Sequence, residues 1–202
     1  LDAERAKHSL PKKQSATNNP QKSQQRKYHA SLIKKYMPNV KSILCIGARN
    51  DAEVKDLIKA GFNAQGIDVC NESKLITRMD AHTLDQHFSE NQFDLVYASH
   101  SLEHMYDAPR VLSHIRKVSK YGLYFILPFP YRTGIATKCS LTHPCIFDIM
   151  THPEISNLQQ LKNNIHLLND FKNLGKFDIT MFSNNRKSGT PYDFDVLLSF
   201  TN

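Results

Sequence analysis

Short strands that are apolar along their whole length, each followed by a helix, constrain this chain more than any other feature. Ser42–Gly47 (SILCIG) is such a strand, and Asp51–Ala60 after it sets Val54, Leu57 and Ile58 on one helical face before Gly61 stops it. Ala64–Val69 (AQGIDV) and Lys74–Met79 (KLITRM) form the next two strands, residues 82–90 a short helix, and Phe93–Ser99 (FDLVYAS) the fourth strand. Pro109–Ser119 follows as a helix burying Val111, Leu112, Ile115 and Val118, and Tyr121–Leu127 (YGLYFIL) is the fifth strand. A strand with one wet face would alternate polar and apolar residues. Continuous apolar runs need cover on both faces, the condition of a parallel sheet between helices. Right-handed crossovers then make the sheet doubly wound.

The C-terminal part follows a different plan. After an irregular stretch at 128–151, apolar spacing predicts a long helix over 153–174 with Ile155, Leu158, Leu161, Ile165 and Leu168 inward. Phe177–Phe182 and Asp195–Phe200 are two strands joined by the polar connection SNNRKSGTPY, which makes them an antiparallel hairpin. The expected fold is therefore α/β: a doubly wound, mostly parallel seven-stranded sheet with a C-terminal antiparallel hairpin and helices on both faces. Ahead of the first strand, Tyr28, Leu32 and Tyr36 recur every four residues with Ile33 beside them, predicting an amphipathic helix over 23–37 that stops before Pro38. Residues 1–21 are rich in Lys, Gln, Asn, Ser and Pro and have almost nothing to bury, so a disordered basic arm is expected there. Residues 22–202 then form a single domain.

The net charge of +7 suggests nucleic acid, but its placement argues otherwise. Ten of the 26 Lys/Arg residues fall within residues 1–41, beside only Asp2 and Glu4, and the rest of the chain is nearly neutral. A basic arm can touch RNA, DNA or an anionic membrane, yet a solvated tail explains the same charge, so nucleic-acid binding through residues 1–41 is not favoured. No apolar run approaches the roughly 20 residues of a membrane span, and no charged-then-apolar leader is seen, so a cytoplasmic location is expected. The four cysteines form no dense framework, and Cys45 lies inside an apolar strand, so reduced thiols are expected.

Ligands of open α/β sheets bind outside the carboxyl ends of the strands, near the switch in strand order. Gly47 ends the first strand before a helix, which suits a tight turn against a ligand. Asp68 ends the second strand, 21 residues later, where a carboxylate can accept from both hydroxyls of an adenosine ribose. The loop between them decides which adenosine. A dinucleotide wants G-x-G-x-x-G so that backbone N–H groups reach its pyrophosphate. Here those positions are Gly47, Arg49 and Ala52, and Asp51 puts a carboxylate where a phosphate would sit. S-adenosylmethionine has no phosphate and carries an ammonium that welcomes carboxylates, so the loop favours it over a nicotinamide cofactor.

With these residues the sequence resembles the class I S-adenosylmethionine-dependent methyltransferases, whose fold is Rossmann-like. SILCIGARNDAEV stands for the family's glycine-rich first motif, QGIDV for its acidic second-strand end, RMDAH for the segment contacting adenine, and FDLVYASHSLEHMYD for its fourth strand and "LEH" turn. The resemblance implies cofactor contacts at Gly47, Arg49, Asp68, Val69, Asp80, Ala81 and Ser99. It is imperfect. Cys45 replaces the family's acidic residue at the first strand's end, and Arg49 and Asp51 replace its second and third glycines. Arg49 either pairs with the cofactor's carboxylate or faces solvent.

Methyl transfer needs a base only when the acceptor must lose a proton. His100 and His104 flank the fourth-strand turn with Glu103 beside the second, and these three are the candidate catalytic residues; the alternative is that Glu103 and His104 merely cap the turn. An Asn/Asp-Pro-Pro-aromatic motif is absent where Ser99-His100-Ser101-Leu102 stands, which argues against a DNA base and for a small-molecule acceptor. Residues 128–151 are long for a connection and leave the carboxyl end of the fifth strand, as a substrate lid would. Cys139, His143, Cys145 and His152 match no closed zinc pattern, so no metal is expected. The competing readings are a nicotinamide-dependent oxidoreductase and a catalytically silent Rossmann module that binds a partner or RNA through its basic N-terminal segment.

Overall fold

The computed structural model describes residues 20–128, 158–165, 168–182 and 193–201. In chain order the elements are α1 (Pro20–Tyr36), β1 (Ser42–Ile46), α2 (Asp51–Lys59), β2 (Asn63–Asp68), β3 (Ile76–Arg78), a 3-10 turn (Ala81–Thr83) leading into α3 (Leu84–His87), and β4 (Phe93–Ser99). A second 3-10 turn (Leu102–His104) precedes α4 (Ala108–Val118) and β5 (Ser119–Pro128). After these come α5 (Leu158–Asn164), a third 3-10 turn (Asn169–Leu174), β6 (Phe177–Phe182) and β7 (Asp193–Phe200).

The seven strands form one sheet in the order β3-β2-β1-β4-β5-β7-β6. β3, β2, β1, β4 and β5 run parallel, and β7 enters antiparallel between β5 and β6. Alternate residues of each central strand enter separate cores on the two faces of the sheet. Leu44, Ile46, Val96, Leu123 and Phe125 pack with Leu112, Ile115 and Phe171 on one face. Ile43, Cys45, Leu95, Tyr97, Tyr124 and Ile126 pack with Ile33, Val54 and Leu57 on the other. Both faces are thus dry, which is why these strands have no polar alternation, and each fully buried Leu or Ile contributes about 1.5–3 kcal/mol.

Helix starts follow their caps. Asn50 is extended and its side-chain oxygen accepts the Ala52 N–H at 3.0 Å, starting α2. Asp107 accepts the Arg110 N–H at 3.1 Å, and Pro109 stands in the first turn of α4, where its missing N–H costs nothing.

Three expectations change. The helix expected over 153–174 is divided: among the described residues α5 covers Leu158–Asn164, Leu168 is extended, and a 3-10 turn follows. The apolar spacing survives the break, since Leu161, Ile165, Leu168, Phe171 and Leu174 are all buried. On α1 the buried face is not the tyrosine stripe. His29, Ala30, Leu32, Ile33 and Met37 face the sheet, while Tyr28 and Tyr36 are exposed at its edges. The helix expected over 82–90 ends at His87 because Phe88 turns extended and sets its ring edge-on to Phe93, centroids 5.0 Å apart. The basic arm lies outside the described residues but for its last two, which open α1. All of the 128–151 segment but Pro128 lies outside them as well, with Cys139, His143, Cys145 and His152.

Beneath α1 lies a buried polar cluster. His29 Nδ1 is 2.9 Å from the Tyr97 hydroxyl, and its Nε2 is 3.6 Å from Asp195 Oδ2 on β7. The Tyr97 and Tyr124 rings stack at 5.6 Å beside it. The helix is therefore seated on the sheet by paired polar groups as well as by apolar contact.

Gly122 marks the tightest strand contact: a Cβ there would run into the Leu198 carbonyl on β7 and come within 3.0 Å of Met37 Cε. Gly122→Ala is expected to destabilise the fold by about 2 kcal/mol or more in a denaturant titration. An unchanged midpoint would mean that β7 does not sit on β5 in this register.

Candidate active site

The strand order turns back on itself between β1 and β4, and the crevice beyond their carboxyl ends is where an open sheet of this kind takes a ligand. Gly47 leaves β1 with φ of +69°, a left-handed conformation that suits glycine. A Cβ on it would lie 2.5 Å from Ser101 Cβ. That closeness lets the Ser101 hydroxyl donate to the Ile46 carbonyl at 2.9 Å, stitching the ends of the two strands together. His100, between Ser99 and Ser101, is driven to φ of +50°, a region uncommon for a residue with a side chain.

Asp68 ends β2 with its two oxygens in different situations. Oδ1 accepts the N–H groups of Cys70 (2.8 Å) and Asn71 (2.9 Å) and the Asn71 side-chain amide (3.0 Å). Among the described residues Oδ2 receives no hydrogen bond. Val69 beside it is 57% exposed, an apolar platform at the crevice edge. Asp80, at the end of β3, accepts the His82 N–H at 2.9 Å and the His82 Nδ1–H at 2.6 Å. His82 Nε2 accepts the Asp107 N–H at 3.2 Å, and its ring stacks on Tyr106 at 3.6 Å. The turn after β3 is thereby locked to the turn after β4. Ala81 is buried in the core, and its carbonyl accepts the Leu84 N–H.

The first turn of α2 is acidic. Asp51 accepts from the Ser73 hydroxyl at 2.5 Å and pairs with Lys55 at 2.9 Å, and the Ser73 bond above all holds its carboxyl below the usual range. Glu53, two residues further along the helix, is half-buried. Burial pushes its carboxyl up to about 7, against the pull of Arg26, His100, Ser99 and Lys22. Sequence reasoning missed Glu53, because Asn50 and Glu53 have the spacing of a capping box, a purely local role. Arg49 is exposed on the loop.

The three candidate catalytic residues come together but not in equal positions. Glu103 is buried inside the turn, with Oε1 3.7 Å from His100 Nδ1 and 4.0 Å from His104 Nε2. Among the described residues its Oε2 has no hydrogen-bond partner. The side chains of His100 and His104 are 43% and 42% exposed, so it is the histidines that can meet a second substrate.

A family model described as Methyltransferase domain matches residues 21–169. The chain belongs to this family. Fold and motifs together make it a class I methyltransferase, with S-adenosylmethionine as cofactor. Among solved structures, the PH0226 protein of Pyrococcus horikoshii OT3 is similar at 15% identity and TM-score 0.61, over 93% of this chain and 94% of that one. A SAM-dependent methyltransferase from Archaeoglobus fulgidus is similar at 18% identity and TM-score 0.55, over 87% and 94%. The 1,6-didemethyltoxoflavin-N1-methyltransferase of Burkholderia thailandensis, solved with 1,6-didemethyltoxoflavin and S-adenosylhomocysteine, is similar at 12% identity and TM-score 0.58, over 88% and 78%. No curated protein matches the sequence.

The crevice of this methyltransferase fits such a cofactor. It offers a glycine cradle, a carboxylate at the end of β2 with one oxygen to spare among the described residues, and an acidic helix start that would repel a phosphate. Among the described residues no helix is long and apolar enough to cross a membrane, and no cluster of His, Cys, Asp or Glu could hold a metal. The cradle predicts its own test. Gly47→Ala should destabilise the enzyme by about 1–3 kcal/mol, and adding Ser101→Gly should recover the contact part but not the backbone part. A silent Gly47→Ala would show that Ser101 does not lie against the loop.

Proposed function

We propose that this methyltransferase methylates a small molecule in the cytoplasm, with residues 22–202 acting as one catalytic domain. The observation that carries the cofactor half is the divided Asp68 carboxylate: one oxygen organises its own loop, and the other is left for the ribose hydroxyls. Val69 then lies under the adenine, Asp80 and the Ala81 backbone border its amino edge, and the Gly47 backbone and Ser99 flank the methionine end. Arg49, exposed on the loop, takes the cofactor's carboxylate. The small-molecule half is supported by the Burkholderia enzyme, whose named substrate is of that class.

When bound, the cofactor supplies a methyl on a sulfonium, already activated for in-line displacement. The protein's own work is alignment and exclusion of water. His100 and His104 stand at the turn where the acceptor enters, and either can take a proton from a hydroxyl or amine. Glu103 acts behind them as a positioning residue: its buried carboxylate faces both imidazoles and favours whichever becomes charged.

Calorimetric titration tests the cofactor half. S-adenosylmethionine and S-adenosylhomocysteine should bind in the micromolar range, about −8 kcal/mol, and Asp68→Ala should lower affinity roughly tenfold or more, since charge-assisted hydrogen bonds contribute about 1.5–3 kcal/mol. Binding of NADH with no response to either compound would overturn the reading.

A further inference from the structure

We infer that His82 is a positioning residue that couples the cofactor side of the crevice to the acceptor side, by tying the turn that carries Glu103 and His104 to the turn after β3. This rests on the cofactor reading above, in which Asp80 and the Ala81 backbone border the adenine, and adds to it a residue that acts through its neighbours.

The partners of His82 leave its imidazole a single arrangement. Asp80 Oδ1 lies 2.6 Å from Nδ1, and a carboxylate only accepts, so Nδ1 carries a proton. The Asp107 N–H meets Nε2 at 3.2 Å, and a backbone N–H only donates, so Nε2 carries none. The ring is therefore the neutral Nδ1–H tautomer, with one nitrogen given to each turn. His82 is buried, and the Tyr106 ring stacks over it at 3.6 Å, so water does not compete for these bonds. Hydrogen bonds in such surroundings are strong, and leaving one unmade is costly.

Both turns lie where the ligands are expected. The turn after β3 starts beside Asp68, whose carbonyl accepts the Met79 N–H at 2.9 Å. The turn after β4 is a compact unit: the His104 N–H bonds to the Ser101 carbonyl and the Met105 N–H to the Leu102 carbonyl, each at 3.1 Å. Ser101 anchors its start to the Ile46 carbonyl of β1. His82 anchors its end at Asp107, which also caps α4. Glu103 and His104 stand between these anchors, so their position depends on both.

The sheet order makes the second anchor a long-range one. β1 and β2 stand between β4 and β3, so the bond from Asp107 to His82 bridges the crevice end of the sheet. A cofactor that steadies Asp80 and Ala81 steadies the His82 ring between them and Asp107, and the acceptor-side turn becomes ordered with it. Coupling of this kind needs no contact between the cofactor and that turn.

The experiment reads amide hydrogen exchange at Met105 and Asp107 with and without saturating S-adenosylhomocysteine. In the wild type the ligand should slow both amides by about tenfold. His82→Asn can still donate to Asp80 but is too short to accept from Asp107. It should bind the ligand within about threefold of the wild type and lose the slowing. His82→Gln, which brings an amide oxygen to the place of Nε2, should restore it. Nitrogen-15 spectra of the wild-type ring should show the Nδ1–H tautomer. Two of these readouts need only the wild type: exchange that does not respond to bound ligand, or a ring protonated on Nε2, overturns the inference. Slowing that persists in His82→Asn would mean that the ligand touches the turn directly, and equal loss in both variants would mean that His82 merely supports the fold; either result also overturns it. If the wild type does not bind S-adenosylhomocysteine, the cofactor reading itself fails.

Discussion

The hydrogen bond from the Ser101 hydroxyl to the Ile46 carbonyl joins the two strands whose divergence creates the crevice, and the site is arranged around it. Parallel strands leave their last carbonyls without ladder partners where the order reverses, and a buried carbonyl left so costs about 1–3 kcal/mol. Ser101 satisfies one of them, but only by lying against position 47, where no Cβ fits. That approach holds the loop after β1 open and folds the chain after β4 sharply enough to put His100 in a left-handed conformation. Strain of this kind persists where surrounding contacts over-determine it. Here it leaves the His100 imidazole part-exposed, 3.7 Å from the buried Glu103 carboxylate.

Charge is then distributed to suit a ligand that is cationic at one end and carries no phosphate. The helix start that a dinucleotide enzyme leaves open to pyrophosphate is closed here by Asp51 and Glu53. Their fates differ through their partners. Asp51 has a hydroxyl and a lysine and ionises readily, whereas at Glu53 burial outweighs the nearby cations. Asp68 shows a similar economy on one residue, with one oxygen committed to the protein and the other available.

α1 ties the basic N-terminal region to this chemistry. Its His29 enters the buried cluster with Tyr97 and Asp195, while Arg26 and Lys22 bring positive charge towards Glu53. Buried paired groups of this kind add little net stability over apolar ones, but losing one partner leaves the other exposed to the full desolvation cost. The helix is consequently held in one place, and the charge it brings to the crevice is held with it.

Strand positions, the parallel sheet and the closing hairpin were legible because they depend on burial, and burial writes itself as apolar runs; β4 and β6 begin and end where those runs do. Gly47 and Asp68 were legible because the ends of such strands are few and ligands bind there. The tyrosine stripe of α1 and the single helix over 153–174 failed for a common reason. Periodicity says which residues share a face, but not which face a neighbour will cover, nor that an extended Leu168 can bury its side chain as well as a helical one. Glu53 lay beyond sequence reading altogether. Three residues after Asn50 it looks like a helix cap, and only folding buries it enough to push its carboxyl up to about 7. The sequence by itself determined what must be buried and which strand ends face a ligand. The tertiary structure decided which carboxyl groups ionise readily and which are pushed up by burial, because a side chain's electrostatic role is set by groups distant in the chain that only folding brings near.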